Sequence, residues 1–298
     1  MVDPASQFLP ESALTLLQQL FGSTARRAPT ELIPAATNLV VRLRLRDESY
    51  AVRVPGSTTG DLAIDRRSEC AALEAAVTVD LAPRVVACDP TSGILVTRWI
   101  EGETWTSSRA REPDAIRRMA GALRTLHALP VPTAVRSLAP QPLLERYWRI
   151  VTNRAGPWRS SLAPLHERIT ALAQGLHAEP LVLCHSDLHH RNLIEDDRLR
   201  LLDWEYAGVT ERAYDLASFS QSNDLTRAEQ ELLLDAYGVA DGIEQRFNLH
   251  CVVFDWICVL WLVAVNAQKG THERQRLQLL AQRAKASLES IVTATGVI

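Results

Sequence analysis

At 298 residues, 47% hydrophobic and 22% charged, the chain is long enough for a sizeable core, which excludes disordered, collagenous, coiled-coil and disulfide-stapled mini-protein classes. Its 32 basic against 35 acidic side chains leave a net charge of −3, too balanced to make nucleic acid or an anionic membrane the expected partner. Lys269 and Lys285 are the only lysines, so no G-x-x-x-x-G-K-[ST] loop exists and the P-loop nucleotide hydrolases are excluded.

In chain order, the start, Met1-Val-Asp-Pro-Ala, lacks a basic and apolar leader, and the expectation is a cytoplasmic protein. A helix is predicted over Ser12–Phe21. Short strands follow at Asn38–Leu45, Tyr50–Val54, Arg84–Ala87 and Ile94–Thr97, interrupted by one helix at Ile64–Val77, where apolar residues recur at helical spacing. After Trp99-Ile-Glu-Gly-Glu the pattern turns helical, at Pro113–Leu129, Pro142–Val151 and Leu165–Leu176. A β island at Leu181–Leu202 precedes further helices. Strands first and helices afterwards predict an α+β protein of two lobes: residues 1–98, a junction at 99–103, and residues 104–298. Cys70, Cys88, Cys184, Cys251 and Cys258 form no C-x-x-C pair and read as small buried thiols in a reducing compartment. The apolar run Trp256–Val265 is ten residues, shorter than the roughly 18 of a membrane span, and reads as a core helix.

Chemistry concentrates in the β island. It holds His185-Ser-Asp187-Leu-His189-His190-Arg191-Asn192, then Leu201-Leu-Asp203-Trp204-Glu205-Tyr206-Ala-Gly208. Apolar runs deliver these polar residues at strand ends, with Asp203 at the exit of the paired strand. The oxygens of Asp187, Asn192 and Asp203 suit one hard cation such as Mg²⁺, which takes its remaining ligands from water and substrate phosphates. His185, His189 and His190 beside Asp187 also admit a zinc hydrolase, although a third cluster of ligands is missing.

The H-x-D-x-x-x-x-N string followed by Asp203-Trp204-Glu205 resembles the catalytic core of the protein-kinase-like phosphotransferases, in the choline/ethanolamine and thiamine kinase branch of the aminoglycoside phosphotransferase family. Further landmarks are Thr37-Asn38, Tyr50–Gly56, Ile64–Glu69, Ile100-Glu-Gly102, Leu126-His127, Pro142–Trp148 and Asp215-Leu-Ala. The resemblance implies a small β-rich lobe that binds ATP, a helical lobe that binds the acceptor, and transfer of the γ-phosphoryl group to the hydroxyl of a small cationic metabolite. Thiamine is slightly favoured over choline or ethanolamine; aminoglycoside or sugar transfer, or a nucleotide-binding pseudoenzyme, are the alternatives. It implies that Asp187 takes or orients the hydroxyl proton, that Asn192 and Asp203 hold Mg²⁺, and that Arg53, paired with Glu69, replaces the usual lysine on the phosphates. Thr37, Asn38, Trp99 and Ile100 would surround the nucleotide, and His185 and Asp215 would brace the loop.

The turn Leu32–Asn38 has no glycine where a backbone would approach phosphate closely. Asp255 and Asn266, eleven residues apart, share a helix face in an apolar run, and a carboxylate there wants a partner. Asp255, with Glu205, Tyr206, Trp256 and Trp261, supplies the carboxylates and aromatic faces that a cationic acceptor needs.

Overall fold

The computed structural model describes residues 3–295 apart from 36, 57–61, 63, 155, 177–179, 239–241 and 267–270. The first lobe runs β1 (Asp3–Pro4), α1 (Ala5–Phe8), α2 (Glu11–Phe21), β2 (Pro29–Ile33), β3 (Asn38–Leu45), β4 (Glu48–Pro55), α3 (Arg66–Val77), β5 (Val85–Cys88) and β6 (Leu95–Arg98). Its strands form one antiparallel sheet in the order β1-β2-β3-β4-β6-β5. Alternation sorts β4 onto two faces. Tyr50 and Val52 join Val41, Leu43 and Val96 in a core closed by Leu14 and Leu17 of α2. Ala51 and Arg53 therefore point to the opposite face, with Arg53 opposite Val40 on one side and Leu95 on the other. At the start of α3 the Asp65 carboxylate accepts from the backbone N–H groups of Arg67 (3.0 Å) and Ser68 (3.1 Å), a cap that fixes where the helix begins.

The second lobe continues with β7 (Glu103–Thr104), α4 (Pro113–His127), α5 (Pro140–Arg154), α6 (Gly156–Ala173), β8 (Leu181–Cys184), β9 (Leu193–Glu195), β10 (Leu199–Leu201), β11 (Gly208–Glu211), α7 (Arg212–Ser222), α8 (Arg227–Tyr237), α9 (Ile243–Asn266) and α10 (Thr271–Thr295). The short hairpin expected inside the β island forms as β9 with β10, whereas β8 pairs outside it with β11, a strand too short to read from periodicity. α6 begins well before the expected Leu165 and runs through Pro164, a residue that ends most helices. α9 is long and apolar enough to cross a membrane over Ile243–Val265, but 72% of that window is buried inside the fold, against α5, α7 and α10. It is the core helix the sequence predicted, although longer than the ten-residue run.

The cysteine expectation fails at two positions. Cys70 on α3 and Cys88 on β5 form a disulfide, their Cα atoms 5.9 Å apart, within bridging range. The packing of α3 on β5 brings them together, which local spacing cannot show. Cys184, Cys251 and Cys258 are free thiols.

Candidate active site

The catalytic string is built on two backbone turns that few side chains adopt. Ser186 has φ +71° after β8, and Asp203 has φ +60° after β10. Both non-glycine residues sit in the left-handed region, a local cost that surrounding contacts must hold in place. At Ser186 those contacts come from α7. Asp215 is fully buried and accepts from the backbone N–H groups of His185 (2.9 Å) and Ser186 (2.7 Å). Its third partner is His127 Nε2, at 3.2 Å. Ser218 Oγ accepts from Leu188 N–H at 3.0 Å, and Asn223 accepts from His190 N–H at 2.9 Å while donating to Leu188 O at 2.9 Å. Sequence reading found Asp215 but missed Ser218 and Asn223; a run of polar residues at helical spacing on the buried helix α7 was the available signal.

His185 is neutral, its pKa pushed down to about 4 chiefly by burial. Nε2–H donates to Leu202 O at 2.9 Å, and Nδ1 accepts from Asp187 N–H at 3.3 Å. Both ring nitrogens are thus engaged in tying β8 to β10, which leaves His185 no lone pair for zinc and removes the hydrolase reading.

Asn192 Nδ2 donates to the Asp187 backbone carbonyl (2.9 Å) and to Asp187 Oδ2 (3.1 Å), which leaves its Oδ1 as a free acceptor. Asp187 and Asp203 keep 27% and 35% of their side chains open, while Glu205 keeps 2%. Burial, and then the Glu205 charge, raise the pKa of both Asp187 and Asp203 to about 7. Three converging oxygen donors, two of them carboxylates destabilised as anions, fit a hard divalent cation such as Mg²⁺.

Across the cleft, Arg53 and Glu69 form a buried bidentate pair, Nη2 to Oε2 at 2.8 Å and Nη1 to Oε1 shorter still. Burial alone would raise the Glu69 pKa, but Arg53 and then Arg66 hold it below the usual range. Arg53 Nη1 also reaches Asp203 Oδ1 at 3.2 Å, linking the first lobe to the metal-ligand side.

Glu205 was expected at the acceptor and is committed elsewhere. Its carboxylate accepts from Arg66 Nη1 (3.2 Å), Asn38 Nδ2 (3.0 Å) and Thr37 Oγ1 (3.5 Å), so it clamps the turn before β3 onto the second lobe. Arg66 also reaches Glu69 Oε2 at 2.7 Å; the sequence placed it in a landmark string but assigned it no role. The glycine missing from that turn is supplied from β4's end: a Cβ on Gly56 would lie 2.0 Å from Thr37 O. Ala36, in the same turn, lies outside the described residues. At the junction, Trp99 N–H donates to Ser49 O at 3.0 Å, because the β4–β6 ladder extends one residue further. That N–H is not available to a base, and Ile100 is the next residue along the strand exit.

The remaining acceptor candidates divide. Tyr206 and Trp261 meet, Trp261 Nε1–H donating to the Tyr206 hydroxyl at 2.9 Å. Asp255 and Trp256 do not join them. Asp255 is fully buried and accepts from Arg283 Nε (2.8 Å) and Gln221 Nε2 (2.7 Å), so the partner its position demanded is an arginine of α10. Trp256 is fully buried and donates to His166 Nδ1 at 3.1 Å; it is core. The Asn266 side chain lies outside the described residues.

Residues 30–252 match the model of the APH phosphotransferase enzyme family. The chain belongs to that family. Among relatives of this phosphotransferase, protein LicA of Haemophilus influenzae is 24% identical over 238 residues, covering 77% of this chain and 67% of LicA. Human ethanolamine kinase 2 is 28% identical over 235 residues, 73% of this chain and 58% of the relative; the chain thus matches less than two thirds of that longer protein. Choline kinase LicA from Streptococcus pneumoniae superposes with a TM-score of 0.75 at 23% identity, over 93% of this chain and 98% of that one. The fold is therefore the two-lobed protein-kinase-like α+β architecture, and the protein is a phosphotransferase. The slight preference for thiamine finds no support in these relatives.

Proposed function

We propose that this enzyme is an ATP- and Mg²⁺-dependent kinase of a small cationic amino alcohol, choline or ethanolamine in class. The observation that carries the reading is one cleft in which Asp187, Asn192 and Asp203 converge from the second lobe and the Arg53–Glu69 pair faces Asp203 from the first. Asn192 Oδ1 and Asp203 would hold the metal, which when bound neutralises phosphate charge during transfer. Arg53, kept protonated because Glu69, Asp203 and Glu205 outweigh its burial, lies beside Asp203, where its fixed charge can meet phosphate oxygens while Glu69 holds its fork. The acceptor oxygen attacks the γ-phosphorus, a new P–O bond forms as the bond to the β–γ bridging oxygen breaks, ADP leaves, and the hydroxyl proton passes to an Asp187 carboxylate oxygen. The names of the relatives, and the Tyr206–Trp261 pair as an aromatic surface for a cation, favour an amino alcohol.

ADP release measured with ATP and Mg²⁺ across choline, ethanolamine, thiamine, an aminoglycoside and a neutral sugar tests the reading. Turnover is expected with choline or ethanolamine. Preferential turnover of the sugar or the aminoglycoside would overturn the acceptor class and leave phosphoryl transfer standing.

A further inference from the structure

Beside the catalytic cleft, four arginines from three parts of the chain line one cavity of about 500 Å³: Arg66 and Arg67 on α3, Arg136 in the segment before α5, and Arg146 on α5. That volume is in the range of small-molecule sites, roughly 300–1,000 Å³. Among the described residues, Asp65 is the one carboxylate in its wall. Asp65 is already engaged in capping α3 through Arg67 N–H and Ser68 N–H, so the helix end itself offers nothing to a ligand.

Two of the four positive charges, Arg67 and Arg146, have no ionic partner among the described residues. Arg66 uses Nη1 on Glu69 and Glu205, while its Nη2 is buried without a hydrogen-bond partner. Burial, and more weakly the neighbouring Arg146, lower the Arg136 pKa against the opposing pull of Tyr147 and Asp65. Like charges gathered on a concave surface with one carboxylate among them create a focused positive potential, which attracts an anion.

We infer that this cavity binds a phosphate group, free or as a small phosphomonoester, at a site separate from the nucleotide's. Guanidinium forks arranged around a concave wall match the tetrahedral oxygens of a phosphate dianion, which takes several paired N–H contacts at once. Arg66 belongs to both regions: the guanidinium that lines the cavity also holds Glu69 and Glu205 in the catalytic network. A phosphate drawn to Arg66 competes with Glu205 for it, and Glu205 in turn holds the turn at Thr37 and Asn38. The cavity is therefore placed to report phosphate to the nucleotide side of the enzyme.

The test is calorimetry on the full chain with Mg²⁺ and a non-hydrolysable ATP analogue filling the nucleotide site. Inorganic phosphate is titrated in one arm and phosphocholine in another. One equivalent of either is expected to bind, at least about tenfold more weakly in Arg67→Ala/Arg146→Ala, a double variant at exposed positions that keeps its Tm and basal turnover. Arg146→Glu provides a second, independent loss. Tighter binding of phosphocholine would identify the phosphomonoester as ligand, and equal or tighter binding of inorganic phosphate would identify the free ion. Absence of saturable binding, or the same affinity in both variants, would overturn the inference. Because the binding readout needs no acceptor turnover, failure of the amino-alcohol reading shows separately, as a lack of ADP release.

Discussion

Single side chains carry the sharpest expectations. Asp187 is the open carboxylate that Asn192 orients, so Asp187→Asn should lower kcat by roughly 10²–10⁴ with little change in nucleotide affinity, because orientation and proton acceptance act in the transition state. Steady-state kinetics beside nucleotide binding measure both, and near-normal turnover would remove Asp187 from the mechanism. Asp255 looks equally suited to meet a cation when read from sequence, and the structure gives it Arg283 and Gln221 instead. Asp255→Asn should therefore leave KM for the acceptor unchanged and destabilise the fold by about 1–3 kcal/mol, since Arg283 keeps partial access to water and to Asp224. Denaturant unfolding and acceptor kinetics together distinguish this from a substrate contact.

At the scale of elements, α7 is the platform on which the catalytic loop rests. Asp215, Ser218 and Asn223 take up the backbone N–H groups of His185, Ser186, Leu188 and His190 in succession, so one helix and its C-cap set the position of four loop residues around Asp187. Asn223→Ala leaves the buried Leu188 and Phe219 carbonyls and the His190 N–H without that side chain, a loss of about 2 kcal/mol or more. The expected signature is a fall in kcat while KM for ATP holds, as the loop loses its anchor and the Arg53–Glu69 side does not. A stability loss with kcat intact would show that Asp215 and Ser218 suffice. α3 has a comparable role in the first lobe: it carries Glu69 to Arg53, Arg66 to Glu205 and, through Ser68 Oγ, a hydrogen bond to Ala207 O at 3.3 Å. Its position thus depends on contacts in both lobes.

For the whole molecule, acid is expected to loosen the junction of α5, α6 and α9. His166 is buried, stacked on Trp148 with ring centroids 4.2 Å apart, and accepts from Trp256 through Nδ1. Burial pushes its pKa down to about 4 from 6.5. The unfolded chain then binds more protons than the folded one between those values, so this contribution is complete above pH 6.5 and is lost as pH falls toward 4, at most about 3 kcal/mol. His185 acts in the same direction. Asp187 and Asp203, with raised pKa values, act oppositely, since their protonation is easier in the folded state. The difference in Tm between wild type and His166→Gln across pH 7 to 4 isolates the histidine: it should shrink or reverse as the pH falls, and a constant offset would exclude the linkage.

The order of lobes, most elements and the catalytic string were legible because they rest on local facts: alternation in β3 and β4, helical spacing in α3 and α4, and the fixed interval between Asp187 and Asn192. Arg53 and Glu69 came only through the family resemblance, since composition alone reads them as surface charges. What the sequence left open is how buried charge is balanced. Glu205 finds Asn38 from 167 positions away, Asp255 finds Arg283 on the following helix, and Cys70 meets Cys88 across a helix–strand contact. Charge and hydrogen-bond pairing in a desolvated interior depends on distances of a few ångströms between remote segments, and those distances exist only once the core has packed. Sequence thus determined which groups could do chemistry; tertiary structure decided which of them stay free to do it.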